Sequence, residues 1–331
     1  MITDWTGREA AALRAALRMS VREFAAHLDV SARIVCRWEA ERECITPRPL
    51  SQQLLDAALR LADDETRQRF DALLSPPVAT GEDAERVVAA LDGCHTDAGA
   101  LDAVAEVLAG LRKLEDATSA ADVLPSVHQH TALASRLADN ARGDVRPQAV
   151  GLLSELEQYE GWLAIPTQRW DDARHHLDRA ATLALEADDP QRLATALSFQ
   201  AYRHILTGQL RQAEALNRAA ARDTRVDPGL RAYMIFQRAE VLAHDGDRTA
   251  ALDALNEAEA SLDRIDVDEL PASSYWYTPA VLLGHKGFVL AALGDVTAAR
   301  RAAAESLEAM PPEWAASEWA EQHRQLAELD H

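Results

Sequence analysis

The sequence predicts an all-α protein made of a small helical head and a longer array of helical hairpins. Three observations carry that expectation. Ala and Leu dominate a composition that is 48% hydrophobic but only 5% aromatic, a balance that suits closely packed helices better than sheets. Apolar residues recur at helical spacing through most of the 331 residues, punctuated by capping and turn residues. Finally, Ser75-Pro76-Pro77 breaks any helix and divides the chain into parts of unlike charge. Residues 1–62 hold nine Arg against eight Asp and Glu, a net of +1, so a whole-chain charge of −20 leaves −21 for residues 63–331. A length of 331 residues suits about two domains of roughly 100 to 200 residues.

The head reads in order as follows. Residues 7–18 form a first helix with Leu13 and Leu17 one turn apart. Ser20 caps a second helix carrying Phe24, Ala25 and Leu28 on one face, and Asp29-Val30 makes a turn. Ser31 then caps a third helix that buries Ile34 or Val35, together with Trp38. Leu54, Leu55, Ala58, Leu59 and Leu61 give the next helix, which completes the small core. A further segment with Phe70, Leu73 and Leu74 reads as a connector.

Residues 19–41 resemble the helix-turn-helix of Xre/Cro-type bacterial repressors, and the likeness extends over roughly residues 6–62. It implies a five-helix, lambda-repressor-like DNA-binding domain in residues 1–74, connector helix included. At the family's usual Gln near a phosphate stands Val21, with Arg22 beside it as the replacement. Asp29 occupies the turn position that demands positive φ, which Asp tolerates. The resemblance pairs Glu39 with Arg14 as a structural contact and makes Arg22, Ser31, Ala32, Arg33, Cys36, Arg37, Arg42 and Arg48 the DNA-facing residues. With a head charge of only +1, the placement of these Arg matters more than their sum. An exposed Cys36 thiol beside Arg37 also admits oxidation as a block to binding, or simply a small residue fitting a groove.

Residues 75–82 read as a linker, and the body over residues 83–331 repeats itself. Ala173, Ala213, Ala251 and Ala299 recur at intervals of 40, 38 and 48. Twelve residues before each stands Gly161, Ala201, Ala239 or Gly287, and seven after comes Ala180, Ala220, Ala258 or Ser306. Small residues at these places let paired helices approach closely, and Gly208, Gly246-Asp247 and Gly294-Asp295 mark the bends. The pattern resembles tetratricopeptide (TPR) arrays, whose usual period is about 34, in four units over residues 148–311. The longer spacing places extra chain between units, notably Val267 to Ser274. Residues 83–143 hold three degenerate helices of the same α-solenoid, and residues 313–329, with Trp314, Trp319 and Leu326, a capping helix. An irregular bundle with Ala-rich interfaces is the alternative.

Such an array exposes the first helix of each pair on a concave face. The effector-facing candidates there are Gln158, Trp162, Phe199, Tyr202, Phe236, Gln237, Glu240, His285 and Phe288, with His244 beside them. Carboxamides pair with an extended backbone and aromatics anchor apolar groups, although packing between helices is an equal use for each aromatic. Tyr275-Trp276-Tyr277 is read as packing against Trp314 or Trp319.

Residues with catalytic spacing are missing from this sequence. His128-x-His130 and His175-His176 lack the spacing of helical zinc pairs, and no HExxH, phosphate loop or nucleophile elbow occurs. Cys36, Cys44 and Cys94 form no ligand set or disulfide framework. The expectation is a chain without cofactor or metal, not an enzyme, and cytoplasmic, since no apolar run reaches the roughly 18 to 20 residues that span a membrane. An Xre-type head on a TPR-like body resembles bacterial one-component regulators, including actinobacterial Xre/TPR proteins and the RRNPP group. That implies a transcriptional regulator, a homodimer on a palindromic double-stranded operator that senses a peptide or small-molecule effector. The alternative is a protein-docking adaptor tethered to DNA by its head.

Overall fold

The computed structural model describes residues 5–41, 45–63, 66–67, 69–70, 81–92 and 95–329. The regular structure among them is helical throughout, which bears out the all-α expectation. The chain divides into two compact units, Met1–Val78 and Ala79–His331.

In the first unit, α1 (Gly7–Ala16), α2 (Val21–His27), α3 (Ala32–Glu41) and α4 (Pro49–Leu61) surround one core. Ser20 and Glu23 form a reciprocal capping box, the Ser20 hydroxyl accepting from the Glu23 amide and the Glu23 carboxylate from the Ser20 amide. Asp29 turns the chain at φ 50°, and the Ser31 hydroxyl accepts from the Ile34 amide at 3.4 Å. These local bonds set the rotation of α3. Val35 and Trp38 go into the core with Leu13, Phe24, Leu28 and Leu55, while Ile34 stays 41% exposed. Burying each large apolar side chain stabilises this small unit by about 1.5–3 kcal/mol. Arg14 pairs with Glu39 and donates to the Met19 carbonyl at 2.7 Å, tying α1 to α3. Phe70 stacks against Trp5 at 5.8 Å in the same core, so this part of the expected connector belongs to the head. Leu73 and Leu74 lie outside the described residues.

In the second unit, α5 (Gly81–Asp92), α6 (Ala98–Ala117) and α7 (Ala120–Asn140) precede four helix pairs. Residues 75–80 of the expected linker lie outside the described residues, and 81–82 already belong to α5. The pairs are α8 (Val145–Ala164) with α9 (Trp170–Glu186), and α10 (Pro190–Leu206) with α11 (Leu210–Ala220). They continue with α12 (Pro228–His244) and α13 (Arg248–Leu262), then α14 (Pro279–Ala292) and α15 (Val296–Ala309). The recurring small residues sit where helices touch: Ala173, Ala213, Ala251 and Ala299 are fully buried. The Ser154 and Ser306 hydroxyls donate to the Ala180 and Ala280 carbonyls across a helix pair at 2.8 and 2.7 Å. The bends take φ 72°, 86° and 82° at Gly208, Gly246 and Gly294, and the first pair makes its bend with Gln168 at φ 56°.

The C-terminal segment differs from the single capping helix expected. It forms α16 (Pro312–Ala315) and α17 (Glu321–Ala327) with a break between them. The Arg324 guanidinium donates to the Ala315 and Ser317 carbonyls at 2.6 and 2.8 Å, folding the segment back on itself. Leu326 still caps the last pair against Ala299 and Ala303. Trp314 and Trp319, however, are carried to the far side of the concave space. There the Glu318 carboxylate accepts from the Ala120 amide at 2.7 Å, and the Trp319 indole donates to Asp116 of α6 at 3.0 Å. The array therefore closes on itself.

Candidate functional site

That closure frames a cavity of about 80 Å³ that stays partly open to solvent. On the scale of one water per roughly 10–15 Å³, this is room for several waters. The first helix of each pair supplies its wall: Trp162 from α8, Phe199 and Tyr202 from α10, Tyr233 from α12, His285 and Phe288 from α14. The α13–α14 connection adds Tyr275 and Trp276, and the C-terminal segment Trp319 and His323. Their rings form a continuous circuit. Trp162 meets Phe199 at 5.4 Å, Phe199 meets Tyr233 at 6.4 Å, and Tyr233 meets His285 at 4.9 Å. His285 and His323 lie 5.8 Å apart and His323 and Trp319 6.4 Å apart.

Two adjacent carboxylates of α6 complete the circuit. Glu115 accepts from the Tyr159 hydroxyl at 2.7 Å and the Trp162 indole at 2.8 Å. Asp116 accepts from the Tyr275 hydroxyl at 2.8 Å as well as from Trp319. Burial raises Glu115 to about 7 against the pull of its two hydrogen bonds, with the neighbouring Asp116 and Glu318 charges adding to the rise. Burial also raises Asp116, opposed by its indole and phenol donors. At the other side burial lowers His285 to about 3 and His323 to about 4, so both rings are neutral at physiological pH. Arg112 also lines the cavity, but its guanidinium is committed to Glu155 at 2.7 Å and lies 5.3 Å from the Tyr159 ring centre.

Six of the sequence-derived effector candidates, Gln158, Trp162, Phe199, Tyr202, His285 and Phe288, meet at this cavity. Phe236 and Gln237 do not line it: they are 0% and 1% exposed, and Gln237 donates to the Ser198 carbonyl at 3.1 Å. Glu240 is half-buried outside the lining and His244 faces solvent. On α12 the wall is made one turn earlier, by Tyr233. Reading outward from Ala239 found the right helix with the wrong turn. Tyr275 packs against Trp314 at 5.6 Å as expected, while Trp276 lines the cavity. Glu115, Asp116, Trp319 and His323 were missed because they come from segments that the repeat pattern leaves at its margins, Trp319 from the break between α16 and α17. A usable signal was present in the Tyr and Trp gathered at 275–277 and 314–319 in a chain so poor in aromatics.

In the head, Arg33, Cys36 and Arg37 share the exposed face of α3 with Ile34, opposite Val35 and Trp38. Ser31 before α3, Arg22 in the first turn of α2 and Arg48 ahead of α4 are exposed, and Ala32 is half-buried. Arg42 lies outside the described residues, as do Cys44 and Cys94.

A second, more open pocket brings His128 of α7 to Glu160 of α8 at 3.3 Å and His176 of α9 to Glu157 at 2.8 Å. Among the described residues no group of three or more His, Cys, Asp or Glu has a metal-holding arrangement, and no helix is long and apolar enough to cross a membrane.

Fold and site together define a helix-turn-helix unit followed by an array of helical hairpins closed around an aromatic cavity. No protein-family model matches the chain, and no curated protein matches it. A solved structure of Bacillus thuringiensis PlcR in complex with the peptide PapR7 and DNA aligns with 91% of this chain and 92% of its own, at 13% identity and a TM-score of 0.41. A similarity at that level adds nothing to the architecture read from the helices themselves.

Proposed function

We propose that this chain is a sequence-specific DNA-binding transcriptional regulator whose helical array receives a peptide or small-molecule effector. The observation that carries the reading is the presence, in one chain, of a capped helix-turn-helix with an Arg-bearing exposed face on α3 and a hairpin array framing an aromatic cavity. Arg33 and Arg37, one turn apart on α3, suit bidentate contacts to guanine, and the exposed Ile34 suits a thymine methyl. Arg22 and Arg48 suit phosphate contacts on either side. As a homodimer, the protein would read palindromic half-sites about one DNA turn, or a multiple of it, apart.

Genome-wide mapping of bound DNA tests this reading, followed by binding assays on the recovered site with and without cell extract. The expected result is a palindromic motif, binding that responds to extract, and relaxed sequence preference in Arg33→Ala, by about 1–3 kcal/mol at one base pair. Absence of sequence-specific binding overturns the proposal.

A further inference from the structure

The cavity holds negative charge that the protein itself does not match. Glu115 and Asp116 stand side by side, and their carboxylates accept hydrogen bonds from neutral indoles and phenols. Among the described residues neither carboxylate has a Lys, Arg or His within ion-pair distance, since Arg112 is turned to Glu155. Buried carboxylates are ordinarily paired with a cation, and the Arg112 guanidinium in this lining is committed to Glu155. His323 belongs to the same wall, but its ring is 4% exposed and its two nitrogens are covered rather than turned to the cavity. A Cβ at Gly284 would overlap that ring, so the backbone makes room for it. Around the carboxylates the wall is largely aromatic.

Aromatic faces carry negative quadrupoles that attract a desolvated cation, most strongly for Trp. Trp162 and Trp319 both donate their indole N–H to the carboxylates, which adds electron density to the rings that face the cavity. An anionic ligand would meet Glu115 and Asp116 unfavourably. A neutral apolar ligand would fill the walls but leave the two carboxylates without a counter-charge. We propose that the cavity binds an organic cation, an ammonium group on a small apolar body, with the charge seated beside Glu115 and Asp116 among the aromatic rings of the wall. This assignment rests on the effector reading of the cavity and names the effector's chemical class.

The test uses the full chain without DNA, so failure of the operator experiment leaves it standing and its own failure leaves the regulator reading intact. Tryptophan fluorescence and calorimetry would compare choline with 3,3-dimethylbutan-1-ol, its uncharged carbon isostere, and benzyltrimethylammonium with neopentylbenzene. The tripeptide Phe-Gly-Gly, with a free or acetylated amino terminus, asks whether a peptide is the source of the ammonium group. At least one cation should bind ten-fold or more tightly than its uncharged counterpart, and Glu115→Gln with Asp116→Asn should abolish that preference. If the small cations are outbound by the free tripeptide, with acetylation removing the effect, the same cation site is supported with a peptide occupant. Equal binding of charged and uncharged partners, or no saturable binding of any cation at millimolar concentration, overturns the proposal. Should the double variant fail to fold, the isostere comparison on the unaltered chain decides alone.

Discussion

Replacing Glu115 by Gln should change how the stability of the helical array depends on pH. In the folded chain this carboxyl is raised from its ordinary 4.5 to about 7, chiefly by burial. Between those values the folded state keeps a proton that the unfolded state has released, so stability falls as pH rises through the window. At 1.36 kcal/mol per unit, the shift corresponds to about 3 kcal/mol between pH 4 and pH 8, an upper figure because relaxation and water entry lessen the cost of the buried charge. Glu240 is raised to about 7 as well, so the unaltered chain alone does not isolate the effect. The difference between variant and parent does. At pH 5, where Glu115 is protonated, Glu115→Gln should be nearly neutral, because the acid O–H and the amide NH2 can each donate to the Tyr159 oxygen while the carbonyl accepts from the Trp162 indole. By pH 8 the variant should be the more stable, since it has no charge to bury. Urea unfolding followed by circular dichroism at several pH values measures this. A Trp162 fluorescence change with a midpoint near 7, absent from the variant, gives the titration directly. A stability difference that is flat from pH 5 to pH 8 would refute the assignment of a buried, uncompensated carboxylate.

Arg14→Ala removes the pair with Glu39 and the bond to the Met19 carbonyl, and should lower head stability by about 1–3 kcal/mol, read as a fall in Tm. Arg48→Ala, at an exposed position, should leave Tm unchanged and lower the salt dependence of operator binding by about one phosphate contact. Gly161→Ala would place a Cβ 2.6 Å from Leu177 Cγ; the expected cost of about 1–3 kcal/mol exceeds the gain of about 1 kcal/mol in helix propensity, and a raised Tm would mean that Leu177 swings aside without loss. The hydrogen bond to Glu157 raises His176 above its ordinary value, helped by the Glu160 charge. Its contribution to stability is therefore fully present below about pH 6.5 and lost as pH rises through the folded value, and His176→Gln should flatten that part of the pH–stability curve.

The sequence by itself determined the elements whose causes are local. Ser20 with Glu23, Asp29 and Ser31 act within a few residues of the bonds they make, so the helix-turn-helix could be read without knowing what surrounds it. The same holds for the helix pairs, where Gly161, Ser154 and Ser306 meet partners only about 12 to 26 residues away. Even there a local choice was open: only packing against Leu13, Phe24 and Leu55 decided that Val35 and not Ile34 goes inward. The candidate site belongs to the tertiary structure. Its defining bonds join Asp116 to Tyr275 and to Trp319, 159 and 203 residues apart, and nothing in either sequence window encodes the other. Repeat spacing identified the helices that face inward but not the turn of each that reaches the cavity, which is why Tyr233 stands where Phe236 and Gln237 were expected. A helix face is about 100° wide, and its periodicity fixes which side is buried. Whether a residue on that side meets another helix or an enclosed space depends on how the array curves and closes, and that is set by the summed packing of all its pairs.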